Sequence, residues 1–478
     1  MSELKTKTVK GVAWSAVERF SGQGINFVFN ILIARVLLPE DYGVVAMLGI
    51  FLAVSQTFID SGFGNALIRK PDRTDTDYCT VFYFNIAVSA FFCILLWLTA
   101  PLIASFYGIP LLTKITRIIS LTLVINAFRA VHETQLSINM DFRRRAIITI
   151  VCVAVVGIIG LWMAHKGYGV WALVMQSVVG SVLRTILMWL LVHWRPKLVF
   201  SKNSFRELFS YGSKLLASAL LDTIYGNMYT IVIGKAYKAG SLGEYNRAES
   251  FATFPSANLY GIVQNVSFPV LCSIQDDKER LLESYRKFVT MSFFICCPLM
   301  VGLAAVAEPF IRVVLTDSWI GAIPLLQLLC ISMILFPVNA FNINMPNILG
   351  YSKYYLKNVT ITKIIDVCIL FVTIPLGLKA MCVGRIIGAF AGFFICTYYP
   401  GKLIGYGVSK QLADLLPILG ISVVMGLVVL CVVFFVKSML YKLILGILAG
   451  MFVFFIISML LKVKELKYLL EIITRNKY

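Results

Sequence analysis

Charge is what this sequence has least of. Asp, Glu, Lys and Arg make up 14% of 478 residues, where a soluble domain carries about 25%. Hydrophobic residues reach 59% and the mean hydropathy is +0.85. The apolar excess runs from end to end, so no separate soluble domain is visible and the class is a polytopic membrane protein. Histidine is down to three, His132, His165 and His193, scattered singly; each reads as an ordinary interfacial residue. The eleven cysteines lie mostly inside apolar runs without a CxxC or regular spacing. That pattern argues against a disulfide framework and leaves no metal-spaced cluster. Neither GxxxxGK[ST] nor GxSxG occurs. The largest loops, about 193–207 and 274–287, are short. We therefore expect no enzyme active site and no cofactor. The first residues, MSELKTKTVKGVAW, lack a cleavable signal pattern, so the first helix is expected to stay in the membrane as a start-transfer segment.

What is present is a series of apolar runs of helical length. Fourteen spans are expected, over 12–36, 43–68, 79–103, 113–134, 146–164, 168–192, 208–236, 244–270, 288–313, 322–348, 358–375, 380–399, 412–435 and 443–461. Each can cross a hydrocarbon core of about 30 Å at about 1.5 Å per residue. The first, seventh, eighth and tenth are the most polar. Twelve is the alternative count, if the last pair is misread. The fold class is thus all-α.

Basic residues set the orientation. With the N-terminus inside, the inner segments hold 26 Lys and Arg and the outer ones 7, of 43 in all. Both termini are expected in the cytoplasm. The same asymmetry accounts for most of the +19 charge through anionic headgroups, with no nucleic-acid partner. The tail from Lys462 to Tyr478 reads as a short amphipathic helix on the inner face.

The chain also repeats itself. ILIAR at 31–35 aligns with IVIGK at 231–235, EDYG at 40–43 with GEYN at 243–246, and NAF at 126–128 with NAF at 339–341. Each match falls at the equivalent span of a six-helix half. Six is even, so the halves share an orientation and are related by an axis along the membrane normal. Transporters built this way place substrate between the halves. The expected division is 1–200 for the first lobe, 201–405 for the second, and 406–478 for an added helix pair with its tail. The first hairpin turn, LLPED, fits the same plan. Pro39 suits a tight turn, and Glu40 and Asp41 meet the positive end of the next helix.

LLPEDYG after the first span, LGEYNRAESFATFP opening the eighth and NVSFPVLCSIQDD closing it resemble the polysaccharide transporter family. These are Wzx-type oligosaccharide flippases of the multidrug/oligosaccharidyl-lipid/polysaccharide superfamily. The resemblance implies a bacterial inner-membrane protein that moves undecaprenyl-pyrophosphate-linked oligosaccharide from the inner to the outer leaflet. Its motifs are chiefly structural and carry over no binding residue.

Candidate site residues come from polar stripes. Arg19, Gln23, Asn26 and Asn30 share one face of the first span; Lys214, Ser218, Asp222, Tyr225 and Tyr229 share one face of the seventh. Gln56, Asp60, Arg129, His132, Glu133, Arg247 and Asn339 extend the polar set onto spans two, four, eight and ten. These spans are expected to line a hydrated central cavity. The competing reading is that the polar groups are glue between helices. Charges at a helix centre cost about 2.5–3.5 kcal/mol, so they should face protein or water. For the pyrophosphate that the resemblance implies, the candidate cations are Arg19, Arg129, Lys214 and Arg247, with Asn26 and Asn30 beside the glycan. Arg129–Glu133 can equally be a structural pair. Asp60, Asp222, Glu249 and Asp366 are the candidates for a coupling proton or sodium ion. Two other functions compete. Cation-coupled efflux of a drug or metabolite would favour an acidic, aromatic site, yet the spans hold more basic than acidic side chains. A membrane glycan polymerase or ligase would need outer loops that this chain lacks.

Overall fold

The computed structural model describes residues 14, 18, 21–60 and 62–475, with Tyr211, Lys214, Leu470 and 472–475 described by backbone alone. Among the described residues every regular element is helical. In chain order the helices are α1 Ser21–Ala34, α2 Pro39–Asp60, α3 Phe63–Arg69, α4 Asp75–Tyr107, α5 Leu111–Ile138, α6 Phe142–His165, α7 Val170–Leu191, α8 Lys202–Ala236 and α9 Ala239–Ser273. Then come α10 Lys278–Ala305, α11 Ala307–Val314, α12 Ala322–Met333, α13 Phe336–Ile348, α14 Ser352–Thr373, α15 Leu378–Ile404, α16 Val408–Phe435, α17 Met439–Leu460 and α18 Lys464–Arg475.

Where they are described, all fourteen expected runs are helical over most of their length. Among the described residues, length and composition qualify twelve segments as membrane spans. The two outside that set are α1, whose described part is short, and α9, which has the length but is made too polar by Asn258, Gln264, Asn265 and several serines. Three expected spans are broken rather than continuous. Gly62 takes a left-handed conformation (φ 71°) between α2 and α3, a backbone region that glycine enters without steric cost. Val306 interrupts α10 and α11. The α12–α13 break precedes Pro337, which sits in the first turn of α13, where its missing N–H removes no helix bond.

By internal contacts the chain divides into two compact units, Met1–Gly243 and Glu244–Tyr478. In the first, α4 and α5 form a hairpin that turns at Gly108. The Thr57 and Thr223 hydroxyls, 3.0 Å apart, join α2 to α8. Phe63, Phe82, Val131 and Leu208 make an aromatic-rich core with Trp189 and Trp194 around it. Three helix starts in this unit are capped by side chains that accept the N–H three residues on: Thr74 for α4, Asp141 for α6 and Ser201 for α8. Beside them Lys70 reaches Glu207 at 2.9 Å and Asp77 at 3.3 Å. The Glu207 contact holds the Lys70 ammonium above its usual range.

The repeated hairpin turn explains two glycines. A Cβ on Gly43 of α2 would overlap the Ala239 carbonyl, and one on Gly243 of α9 would overlap the Pro39 carbonyl. Each glycine therefore lets its helix start lie directly on the backbone at the start of the other. Asp41 closes the first turn by accepting the Leu38 N–H at 3.1 Å.

In the second unit, α10 packs on α16 and α14 on α15. A buried polar chain ties α10, α13, α15 and α16 together: Tyr285 donates to Asn342 at 2.7 Å, Asn342 donates to Thr397 at 3.0 Å and to Gln411 at 2.9 Å, and Tyr406 donates to Asp414 at 2.7 Å. The tail helix α18 is amphipathic, and its Tyr468 ring lies 3.3 Å from the Lys287 ammonium.

Candidate functional site

Two polar cavities are cut into the first unit. One, of about 430 Å³, is lined by Asp60 on α2, Asn65 on α3, Asn85 on α4, Glu133 and Thr134 on α5, and Arg145 on α6. The other, of about 420 Å³, is lined by Glu18, Gln23, Asn26, Arg145 and Thr149. α2, α4, α5 and α6 are otherwise apolar membrane spans, so the amides, hydroxyls and charges they bring to the first cavity stand out against their own helices.

The groups are held in specific ways. Asp60 accepts the Gln56 amide at 2.9 Å, which fixes the carboxylate at the cavity wall. Glu133 carries two guanidiniums, an ion pair with Arg129 one turn earlier and one with Arg184 of α7 at 3.2 Å. Arg129 also donates twice to Asn126, at 3.1 and 3.2 Å. Arg129 is therefore clamped between an acid and an amide on its own helix. Asn30 donates to both the carbonyl and the side chain of Asn26, at 2.9 and 3.0 Å. Glu18 meets the Arg145 Nε at 2.9 Å and accepts the Thr149 hydroxyl at 3.3 Å.

Of the residues expected from sequence, Asp60 and Asn26 line these cavities, and Arg129 meets the first through Glu133. Arg19 lies outside the described residues. Lys214 is on α8, with its side chain outside the description. Asp222, also on α8, is exposed. His132 departs from expectation. It is fully buried between Trp189 and Trp194, at ring distances of 5.1 and 5.4 Å, and belongs to the aromatic core.

The remaining candidates belong to the second unit. The Arg247 guanidinium lies 5.5 Å from the Trp319 ring centroid, a cation–π contact. Glu249 pairs with Arg385 of α15, which also donates to Tyr245 at 2.7 Å. Asp366 of α14 packs where a Cβ on Gly388 of α15 would sit. Arg145, Glu18, Arg184 and Arg385 were not singled out from sequence. Their partners lie far away in the chain, and no local spacing marks them.

The helical architecture defines a transporter-like membrane fold. It matches the solved structure of the lipid II flippase MurJ in an inward closed conformation, with a TM-score of 0.75 over 94% of this chain and 98% of that one, at 17% identity. In sequence, residues 32–324 match the family model described as polysaccharide biosynthesis protein, and the chain belongs to that family. It is 28% identical over 341 residues to the lipopolysaccharide biosynthesis protein WzxC of Escherichia coli (strain K12), covering 69% of this chain and 67% of WzxC. It is 26% identical over 340 residues to the succinoglycan biosynthesis transport protein ExoT of Rhizobium meliloti (strain 1021), covering 71% of this chain and 69% of ExoT.

Proposed function

We propose that this protein is a flippase for undecaprenyl-pyrophosphate-linked oligosaccharide. It carries that lipid from the cytoplasmic to the outer leaflet of a bacterial inner membrane, to supply lipopolysaccharide O-antigen, capsule or exopolysaccharide. The carrying observation is a pair of polar cavities in helices that are otherwise built for lipid. Polar and charged side chains in membrane-spanning helices are rare and mark paths for polar cargo. The names of WzxC, ExoT and MurJ support the same substrate class. In this reading the two lobes, 1–200 and 201–405, alternate access around the substrate. Arg19, Lys214 and Arg247 hold the diphosphate, while Asn26 and Asn30 meet the glycan. Arg129 serves the site through its clamp on Glu133. Both termini are cytoplasmic, and the prenyl tail stays in lipid.

The test is glycan export in a flippase-deficient host, scored beside the amount of membrane-inserted protein. Wild type should restore surface glycan, and Arg247→Gln should abolish it without loss of protein. A well-inserted wild type that restores nothing sinks the reading. One observation favours a second reading, cation-coupled efflux: Asp60 is a carboxylate at a cavity wall with a neutral amide as its partner. Asp60, Asp222, Glu249 and Asp366 remain the candidates for a proton or sodium ion. Asp60→Asn should insert normally and lose gradient-dependent transport. Equal transport with and without an imposed gradient, in wild type as in the variant, removes Asp60 from any coupling role.

A further inference from the structure

The two polar cavities share one charged side chain. Arg145 stands near the start of α6 and lines both. Its contact with Glu18 is made at Nε, 2.9 Å away, and a guanidinium carries five N–H donors. The side chain is 39% exposed, so a ligand in either cavity can reach it. The two cavities differ in what else they offer. The one beside Glu18 adds the neutral amides of Gln23 and Asn26. The other adds Asp60 and Glu133, with Asn65, Asn85, Thr134 and Ser137. Carboxylates, amides and hydroxyls all hydrogen-bond sugar hydroxyls well. A diphosphate on Arg145 therefore has sugar-binding groups on both sides, Gln23 and Asn26 in one cavity and the larger Asp60 set in the other.

We propose that Arg145 is the landing site for the diphosphate of the lipid-linked substrate. The diphosphate displaces the Glu18 carboxylate from Arg145, and the first sugars enter the Asp60 cavity. This rests on the flippase reading above. Glu18 keeps the guanidinium paired while the site waits, which avoids an uncompensated charge. A diphosphate carries more negative charge than one carboxylate and matches the planar fork bidentately, so it wins the exchange. Arg143 serves as an internal control. It lies two residues earlier, 5.8 Å from the Trp14 ring centroid, and lines neither cavity.

The experiment is calorimetric titration of the purified full-length protein in lipid nanodiscs with inorganic pyrophosphate at fixed ionic strength. Arg145→Gln should weaken binding by about tenfold or more, Arg145→Lys should weaken it less, and Arg143→Gln should leave it unchanged. Glu18→Gln should tighten binding several-fold, because the competing carboxylate is gone. A merely structural bridge predicts the opposite sign, with both partners' variants losing binding together. Pyrophosphate binding that survives in Arg145→Gln, or that falls in Glu18→Gln, overturns the proposal. The same proteins assayed for glycan export separate the two ideas. Wild-type export with undiminished pyrophosphate binding in Arg145→Gln removes this landing site and leaves the flippase reading standing. A wild type that is inserted but neither exports glycan nor binds pyrophosphate removes both.

Discussion

At the scale of single residues, Glu133 is the most consequential acid in the first unit, because it neutralises two arginines at once. The partners are not equivalent. Arg129→Gln leaves Glu133 with Arg184, a complete pair. Glu133→Gln leaves two guanidiniums beside one neutral amide. A charged group that loses its partner costs about 1–3 kcal/mol, whereas a retained pair costs little. Glu133→Gln should therefore lower the melting temperature of the detergent-purified protein clearly more than Arg129→Gln. Equal shifts would show that Arg184 does not share the acid. The helix also explains why Glu133 reaches the cavity wall with Arg129 beside it while His132 does not. Successive residues turn by about 100°, so Arg129 and Glu133 fall on one face and His132 turns toward Trp189 and Trp194. Three neighbouring polar residues did not make one lining.

At the scale of elements, the helices were legible because each apolar run has the length of a span, and the first-span stripe did bring Gln23 and Asn26 to a cavity. What was not legible is tertiary. Glu18 and Arg145 meet across 126 intervening residues, and Glu249 finds Arg385 on a helix six elements later; neither pair has a short-range spacing to betray it. The repeat did point to the paired hairpin turns, but not to the reason for their glycines. Gly43 and Gly243 each face a backbone carbonyl, which cannot swing aside as a side chain can. Gly43→Ala and Gly243→Ala should each destabilise the purified protein by about 1–3 kcal/mol, the usual cost of overpacking. Gly240, also in the first turn of α9, has nothing within 4 Å of its would-be Cβ. Gly240→Ala should leave the melting temperature unchanged or raise it, since Ala is the better helix former. Three indistinguishable melting curves would mean that the close backbone approach is not maintained in the membrane.

At the scale of the whole molecule, the number of membrane crossings turns on two helices, α1 and α9, which can be read separately. Among the described residues twelve segments qualify by length and composition; α9 does not, and α1 is described over Ser21–Ala34. If α1 crosses from a cytoplasmic N-terminus, Tyr42 at the start of α2 lies outside and Arg73, after α3, lies inside. The chain then returns inside at Lys202, before α8, and Lys166 between α6 and α7 lies outside. α9 decides the sidedness of the second half. If it crosses, Ser318, between α11 and α12, is outside and the C-terminus at Tyr478 is inside; if it stays on one side, both positions invert. The asymmetry of 26 inner to 7 outer basic residues favours the crossing, because only then do Lys278, Arg280, Arg286 and Lys287 lie on the side that positive charge prefers. The glycine contact at the start of α9 supports it too, since it gives α9 the same kind of entry as α2, an accepted span. Reporter fusions after Tyr42, Lys166 and Ser318 should therefore report outside, and fusions after Arg73, Lys202 and Tyr478 inside. An inside signal at Ser318 would take α9 out of the membrane, put the C-terminus outside, and end the argument for two parallel six-helix lobes, because the second would then have an odd number of crossings.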